Sequence, residues 1–262
     1  MEILRALTPA DVPACVKLAA DRDWPPEEAK WRFLLRVGSG FGVFVGDDLV
    51  ATAIVTRFGD IHTAVSMVLV AHGHAGRGLG RRVVEHALAF ADTPVASLCA
   101  TSFGRPLYEK LGFRAVGRLA AHCGTLTAPP QGVSRPCGPA DRARLVAEDA
   151  EVFGADRSAM WAALFDFAHE VRVADGGFVA SWHNTDRLMV GPVVADSVAT
   201  ARALIADAAG AGPARVDVAD PELAAWLSAH GMPARFEVDE MVRGEFTGRR
   251  DLLYAPVMQA LG

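Results

Sequence analysis

Hydrophobic positions along the chain change period in a fixed order, from helical spacing to strand-like runs and back. Thr8-Pro9-Ala10-Asp11 places Pro and Asp where a helix begins, and the apolar spacing from Ala10 to Ala20 continues it. A second helix is predicted over Glu27 to Arg36. Runs rich in β-branched residues follow, Gly42 to Val45 and Leu49 to Thr56, separated by Gly46-Asp47-Asp48, and these read as antiparallel strands. Val65 to Ala71 is continuously apolar, as a strand buried on both faces would be. After it comes a helix whose Val83, Val84, Ala87, Leu88 and Ala91 share one face. Val95 to Ala100 predicts a further strand, and Leu107, Tyr108 and Leu111 a short helix.

The pattern then starts again. Sliding the sequence on itself brings Thr8-Pro9-Ala10-Asp11 over Gly138-Pro139-Ala140-Asp141, Trp31 over Trp161 and Leu34 over Leu164. With small shifts, Val50-Ala51 meet Val179-Ala180, the run Met67 to Ala71 meets Val193-Val194-Ala195, and Leu111-Gly112-Phe113 meets His230-Gly231-Met232. Helices are predicted at Ala140 to Val152 and Ser158 to Phe167, and a strand at Gly177 to Trp182 after an Asp175-Gly176-Gly177 turn. Thr127-Ala128-Pro129-Pro130-Gln131-Gly132 breaks regular structure between the copies. The expected architecture is α+β: a mixed, largely antiparallel sheet flanked by helices, built as two tandem units over residues 1–126 and 133–262.

Composition narrows the class of function. Of 262 residues 51% are apolar and 22% charged, a balance that builds large cores and excludes a disordered or disulfide-scaffold chain. The formal net charge of −5 gives no broad positive field, so neither nucleic acid nor a membrane surface is an expected partner. Cys15, Cys99, Cys123 and Cys137 lie far apart without a CxxC pair, which fits a reducing compartment and no zinc knuckle. No apolar run reaches the length of a spanning helix, and the opening MEILRALTPAD has no basic-then-apolar leader. The expected location is cytoplasmic.

The richest stretch chemically runs from Val68 to Arg82, where Gly76, Gly78 and Gly80 alternate between a buried strand and an amphipathic helix. Lacking Cβ atoms, such a loop lets backbone N–H groups converge on a phosphate, and the helix N-terminus adds about half a positive charge. Arg77, Arg81 and Arg82 supply local cations. The loop follows several strands rather than the first, which separates it from a dinucleotide fingerprint, and no Gly-Lys-Ser/Thr makes it a P-loop.

Val70 to Gly80 resembles the V-x-P-x-x-R-G-x-G-x-G segment of the GNAT superfamily of acyl-CoA-dependent N-acyltransferases, and Leu107-Tyr108-Glu109-Lys110-Leu111-Gly112-Phe113 resembles that family's L-Y-x-x-x-G-F ending. The departures are Ala75, where Gln or Arg is usual, and His72, where Pro is frequent. The whole arrangement is similar to bacterial tandem GNAT proteins. The resemblance implies acetyl-CoA as co-substrate, its pyrophosphate on Gly76, Arg77, Gly78, Leu79, Gly80 and Arg81, and its pantetheine arm along Val68, Leu69 and Val70. It also implies Tyr108 as the general acid that protonates the departing thiolate.

Acyl transfer to an amine needs a neutral amine, a polarised thioester carbonyl and a proton for the thiolate. The base is not fixed by pattern: Asp60, His62, Glu27 and Glu28 are the nearby candidates, and Trp24, Trp31 and Phe41 are candidate walls of an amine pocket. Cys99 reads as a small buried hydrophobe, and His72 with His74 lacks a third ligand, so no metal is expected. In the second unit the glycines are gone, Ala195 passing through Asp196-Ser197-Val198-Ala199-Thr200 into a helix, and Leu227 stands opposite Tyr108. That unit is read as degenerate, with a structural or acceptor-site role and Trp182, His183 and Asn184 as candidate substrate contacts. The expected activity is acetyl transfer to the primary amine of a small molecule or peptide by direct attack. The alternative is a non-catalytic acyl-CoA-binding sensor or interaction module; a homodimer stays open.

Overall fold

The computed structural model describes residues 2–262. The first half runs β1 (Glu2–Ala6), α1 (Val12–Asp21), α2 (Glu28–Val37), β2 (Ser39–Val45), β3 (Asp48–Phe58), β4 (His62–Val70), α3 (Leu79–Ala91), β5 (Val95–Ala100), α4 (Arg105–Lys110) and β6 (Arg114–Thr125). The second runs β7 (Arg135–Pro136), α5 (Pro139–Phe153), α6 (Ser158–Phe167), β8 (Glu170–Ala174), β9 (Gly177–His183), β10 (Leu188–Ala195), α7 (Val198–Ala208), β11 (Pro213–Val218), α8 (Pro221–Ala229), β12 (Ala234–Arg243) and β13 (Leu253–Ala255).

The repeated helix start has a repeated physical cause. Asp11 accepts from the backbone N–H of Thr8 at 2.8 Å, and Arg5 grips the same carboxylate with two bonds of 2.7 and 3.0 Å. In the second half Asp141 accepts from the N–H of Gly138 at 2.8 Å, and Arg135 grips it with two bonds of 2.7 Å. The carboxylate satisfies an orphan donor of the first turn while the arginine fixes the incoming strand.

All the strands join one sheet, ordered β1-β2-β3-β4-β5-β12-β6-β11-β10-β9-β8-β7, with β13 beside β10. Among the described residues only β4 with β5 and β10 with β11 pair in parallel. The final strands of the halves are exchanged: β12 of the second half pairs with β5 of the first, and β6 of the first pairs with β11 of the second. β6 and β12 also pair with each other at the centre, so neither half closes its sheet alone. Both strands escaped the hydrophobic pattern because their first few residues are exposed and carry no clean alternation.

One face of the sheet is covered jointly by α1, α2, α5, α6 and the C-terminal tail, around Trp31 and Trp161, both fully buried. Phe33 of α2 stacks on Phe167 of α6 with centroids 4.4 Å apart. Truncating either tryptophan to alanine would cost about 3–5 kcal/mol. On the other face α3 and α4 cover the first half, through Leu79, Val83, Ala87, Tyr108 and Phe113, and α7 and α8 cover the second.

Candidate active site

β4 and β5 pair only through His62↔Val95, Thr63↔Ala96 and Ala64↔Ser97, after which they diverge and leave a wedge-shaped notch. The continuous apolar run hides what opens this notch. Met67 and Val68 together oppose one residue of β3, because the register jumps between Thr52↔Leu69 and Ile54↔Ser66. Met67 takes a φ of +50°, and its carbonyl accepts from Thr52 Oγ1 at 2.8 Å. A bulge of this kind bends its strand and strengthens local twist, which turns the rest of β4 away from β5. Beyond Ala64 the edge of β4 that faces β5 has no strand partner among the described residues, and Val68, Leu69 and Val70 lie on that stretch.

The loop after β4 leads straight to the N-terminus of α3. Gly76 and Gly78 adopt φ of +75° and +76°, and a Cβ on either would meet nothing within 4 Å. Their backbone therefore faces open space in a conformation that side chains rarely take. Gly78 occupies the cap position of α3 without any side-chain cap, so the first N–H groups of that helix are available to an anion. Gly80 sits where a Cβ would come 3.2 Å from Val70, which lets the helix start lie close against β4. The three arginines are already engaged. Arg77 and Arg82 share the carboxylate of Glu2 at 2.6 and 3.2 Å, Arg81 pairs with Glu85 at 2.8 Å, and Arg77 also meets His74 Nδ1 at 2.8 Å. His72 donates its N–H to Asp21 at 2.7 Å, which ties the loop to α1. Among the described residues no group of three or more His, Cys, Asp and Glu is placed to hold a metal.

Tyr108 is buried on the α3 face with Leu98 and Ala100, and the partly buried Val68 and Val70 pack against the same cluster. Burial pushes its hydroxyl well above the usual phenol range, so it stays protonated and available as a donor. It stands in a helix ended by Gly112 at φ +86°, where the N–H of Phe113 bonds back to the Tyr108 carbonyl at 3.0 Å. The second half repeats this ending with Gly231 at φ +87° and Met232 bonding to Leu227 at 2.9 Å.

Other residues singled out by pattern fall elsewhere. Asp60 is exposed and paired with Arg57, and Glu28 is exposed and paired with Arg32. Glu27 is buried between Lys30 and Asn184, bridging α2 to the end of β9. His62 lies where β4 and β5 are still paired, hydrogen-bonded to Ser97 Oγ at 2.8 Å. Burial, aided by Arg250 and Arg157, pushes its pKa down to about 3. Trp31 and Trp182 are core residues, the latter donating to the Val257 carbonyl at 3.0 Å, and Phe41 packs under α3. Trp24 alone of the expected aromatic wall is partly exposed.

The equivalent notch of the second half has the same origin and a different outcome. β10 and β11 pair only at Leu188↔Ala214 and Met189↔Arg215, and Gly191-Pro192 form the matching bulge against β9. Here β13 lies in the gap, pairing with β10 through Val193↔Ala255 and Val194↔Leu253. A Cβ on Gly191 would fall 2.0 Å from the Pro256 carbonyl oxygen, so the tail passes in contact with the bulge. The N-terminus of α7 is capped by Ser197, whose Oγ accepts from the Thr200 N–H at 3.2 Å, with the Asp196 carboxylate beside it. An anion would find that helix end occupied and negatively guarded.

Comparison with known proteins agrees with this fold. The model of the acetyltransferase (GNAT) family matches residues 5–113, and that of an acetyltransferase (GNAT) domain matches residues 145–255. The uncharacterized N-acetyltransferase YitH of Bacillus subtilis is 30% identical over 79% of this chain and 78% of its own. A crystal structure from Pyrococcus horikoshii aligns over 100% of this chain and 96% of its own, with a TM-score of 0.86 and 22% identity. A tandem GNAT protein from the clavulanic acid biosynthesis pathway aligns over 95% of this chain and 99% of its own, with a TM-score of 0.64 and 14% identity. No helix among the described residues is long and apolar enough to cross a membrane. With a family model on each half and a relative spanning most of both, the chain belongs to the GNAT family of acetyltransferases and carries two such domains in tandem.

Proposed function

We propose that the first half, residues 1–126, transfers acetyl from acetyl-CoA to a primary amine of a small molecule or peptide by direct attack, and that the second half, residues 133–262, completes its sheet without a working site of its own. The observation that carries this reading is the contrast between the two notches: the first has an unpaired β4 edge and an uncapped helix start, the second has β13 and the Ser197 cap.

Bound acetyl-CoA supplies the acetyl group as a thioester. The backbone from Gly76 through Gly80, with Arg77 and Arg81, holds the pyrophosphate, and α3 contributes its positive end. The open edge of β4 at Val68, Leu69 and Val70 hydrogen-bonds the pantetheine arm, and N–H groups of the same edge polarise the thioester carbonyl. Tyr108, on the α3 face, gives its hydroxyl proton to the thiolate as the amine nitrogen bonds to carbon and the C–S bond breaks.

Calorimetric titration with acetyl-CoA tests the reading, with one site per chain as the expected result. Two sites would overturn the assignment of the second half, and no binding would overturn the co-substrate. Gly78→Glu, which places a side chain at positive φ and a negative charge in the cradle, should lower acetyl-CoA affinity by about 10²-fold or more. A panel of primary amines assayed for CoA release separates an enzyme from a sensor that binds acetyl-CoA and releases nothing.

A further inference from the structure

Direct attack places two opposite proton demands on two sides of the sheet. The thiolate leaves toward the α3 face, where Tyr108 is, so the base that relieves the amine belongs on the other face. β12, lent by the second half, forms the wall of β5 at this point, with Glu240 directly opposite Cys99 and Met241 opposite Leu98. Met241 is buried with Tyr108 under α3. Successive side chains of a strand point to opposite faces, so Glu240 faces away from Tyr108, toward the side of α1, α2 and the C-terminal tail.

At that place the inner end of the notch is a cavity of about 10 Å³, lined by Ala64, Val65, Ser97, Cys99, Glu240 and Gln259 among others. This is room for roughly one water, and the lining is polar enough to hold it. Gln259 Nε2 is a buried donor without a protein partner. Glu240 is itself only partly engaged: Oε1 accepts from Arg250 Nη2 at 2.9 Å, and Oε2 has no hydrogen-bond partner among the described residues. The candidates nearest in sequence cannot serve as well. His62 is neutral and a poor base, Asp60 and Glu28 are out in solvent, and Glu27 is held by Lys30 and Asn184.

We infer that Glu240 is the general base of the reaction, contributed to the first half's site by the exchanged strand of the second and reaching the amine through one water held between Ser97, Gln259 and its own carboxylate. The inference rests on the acetyl-transfer reading given above. The ammonium gives one proton to the water as a water proton passes to Glu240 Oε2; the neutral nitrogen then bonds to the carbonyl carbon as the C–S bond breaks, and the second proton on that nitrogen leaves to solvent. Tyr108 protonates the departing thiolate, and bulk solvent later returns a proton to Tyr108 and removes one from Glu240. Arg250, Arg157 and His62 on one side and Cys99, Asp217 and Arg215 on the other are the titratable or charged groups around this end of the notch. Arg250 holds Oε1 of Glu240 in place and leaves Oε2 to the water.

The test uses the full chain and the near-isosteric variant Glu240→Gln. Acetyl-CoA affinity by calorimetry should match the parent, because the carboxylate does not touch the cradle, while the melting temperature should fall, because the neutral amide accepts from Arg250 Nη2 but no longer balances its charge. With an alkylamine from the panel, whose ammonium form has a pKa near ~10, kcat should fall about 10²-fold or more. With hydroxylamine, already neutral at the assay pH, the loss should be under about fivefold, since no proton need be removed before attack. Glu240→Asp, which keeps a shorter carboxylate, should recover part of the alkylamine rate. An unchanged kcat, or equal losses with both nucleophiles, overturns the assignment while leaving acetyl transfer intact. A parent protein that binds acetyl-CoA and acetylates no amine instead overturns the acetyl-transfer reading, and the assignment of Glu240 falls with it.

Discussion

The notch between β4 and β5 and the notch between β10 and β11 arise from one device, a two-for-one bulge that bends the strand away from its parallel neighbour, and the two have opposite fates. In the first, the diverging edge stays unpaired and the following helix begins on glycines with no side-chain cap. In the second, β13 takes up the edge, and Ser197 and Asp196 take up the helix start. An opening that exposes backbone hydrogen-bonding groups is costly unless something satisfies them. The protein meets that demand internally in one half and leaves the edge open in the other. The segment that fills the second notch also continues beneath the first, where Gln259 and Gly262 line the inner end. The tail of the second half thus fills its own notch and lines the inner end of its neighbour's.

The comparison can be tested at several strengths. Tyr108→Phe should produce the largest change, a drop in kcat of about 10² to 10⁴ with acetyl-CoA affinity nearly unchanged, read by steady-state kinetics and calorimetry. An unchanged kcat would make Tyr108 a packing residue, as Leu227 is in the other half. Arg157→Ala comes next. Its guanidinium is fully buried, forms two bonds to Asp149, lies 4.0 Å over the Phe153 ring and donates to the Gly262 carbonyl at 3.1 Å. Removing it leaves Asp149 buried and uncompensated, so denaturant unfolding should show a loss of about 3–5 kcal/mol.

Smaller effects sharpen the contrast at the helix ends. Ser197→Ala removes the α7 cap and should cost about 1 kcal/mol of stability, with the acetyl-CoA stoichiometry still one because β13 remains in the notch. A second site appearing in that variant would mean that the cap, and not the strand, closed the second half. Glu2→Gln frees Arg77 and Arg82 from a half-exposed carboxylate and should tighten acetyl-CoA binding by about two- to fivefold in calorimetry, the range expected of an exposed ion pair.

Local signals made much of this legible. Ser158 to Phe167 and Val95 to Ala100 form the helix and strand their periodicity predicts, because each pattern reflects burial against a single neighbour layer. The duplication was readable in the x-Pro-Ala-Asp starts. The same alignment also superposes Arg5 on Arg135, a signal of the shared arginine–aspartate clamp that pattern reading passed over. The glycine loop and the turn of helix that carries Tyr108 could be named as residues, since a glycine-rich helix start and a helix-ending Leu-Tyr motif are written in consecutive positions. Met67 gave no sign of its bulge, because an apolar residue looks the same inside a regular strand and inside a kinked one.

The sequence by itself determined the two-unit plan, the α+β class, the helix starts and the loop in which only glycine tolerates the backbone. These depend on interactions within a few residues. Tertiary structure alone decided that β6 and β12 change places, that β13 fills one notch and leaves the other open, and that Glu240 stands across the sheet from Tyr108. Such pairings join segments far apart in the chain through backbone hydrogen bonds, which any sequence can make. Which edges meet is therefore set by how the whole core packs, and no local pattern records it.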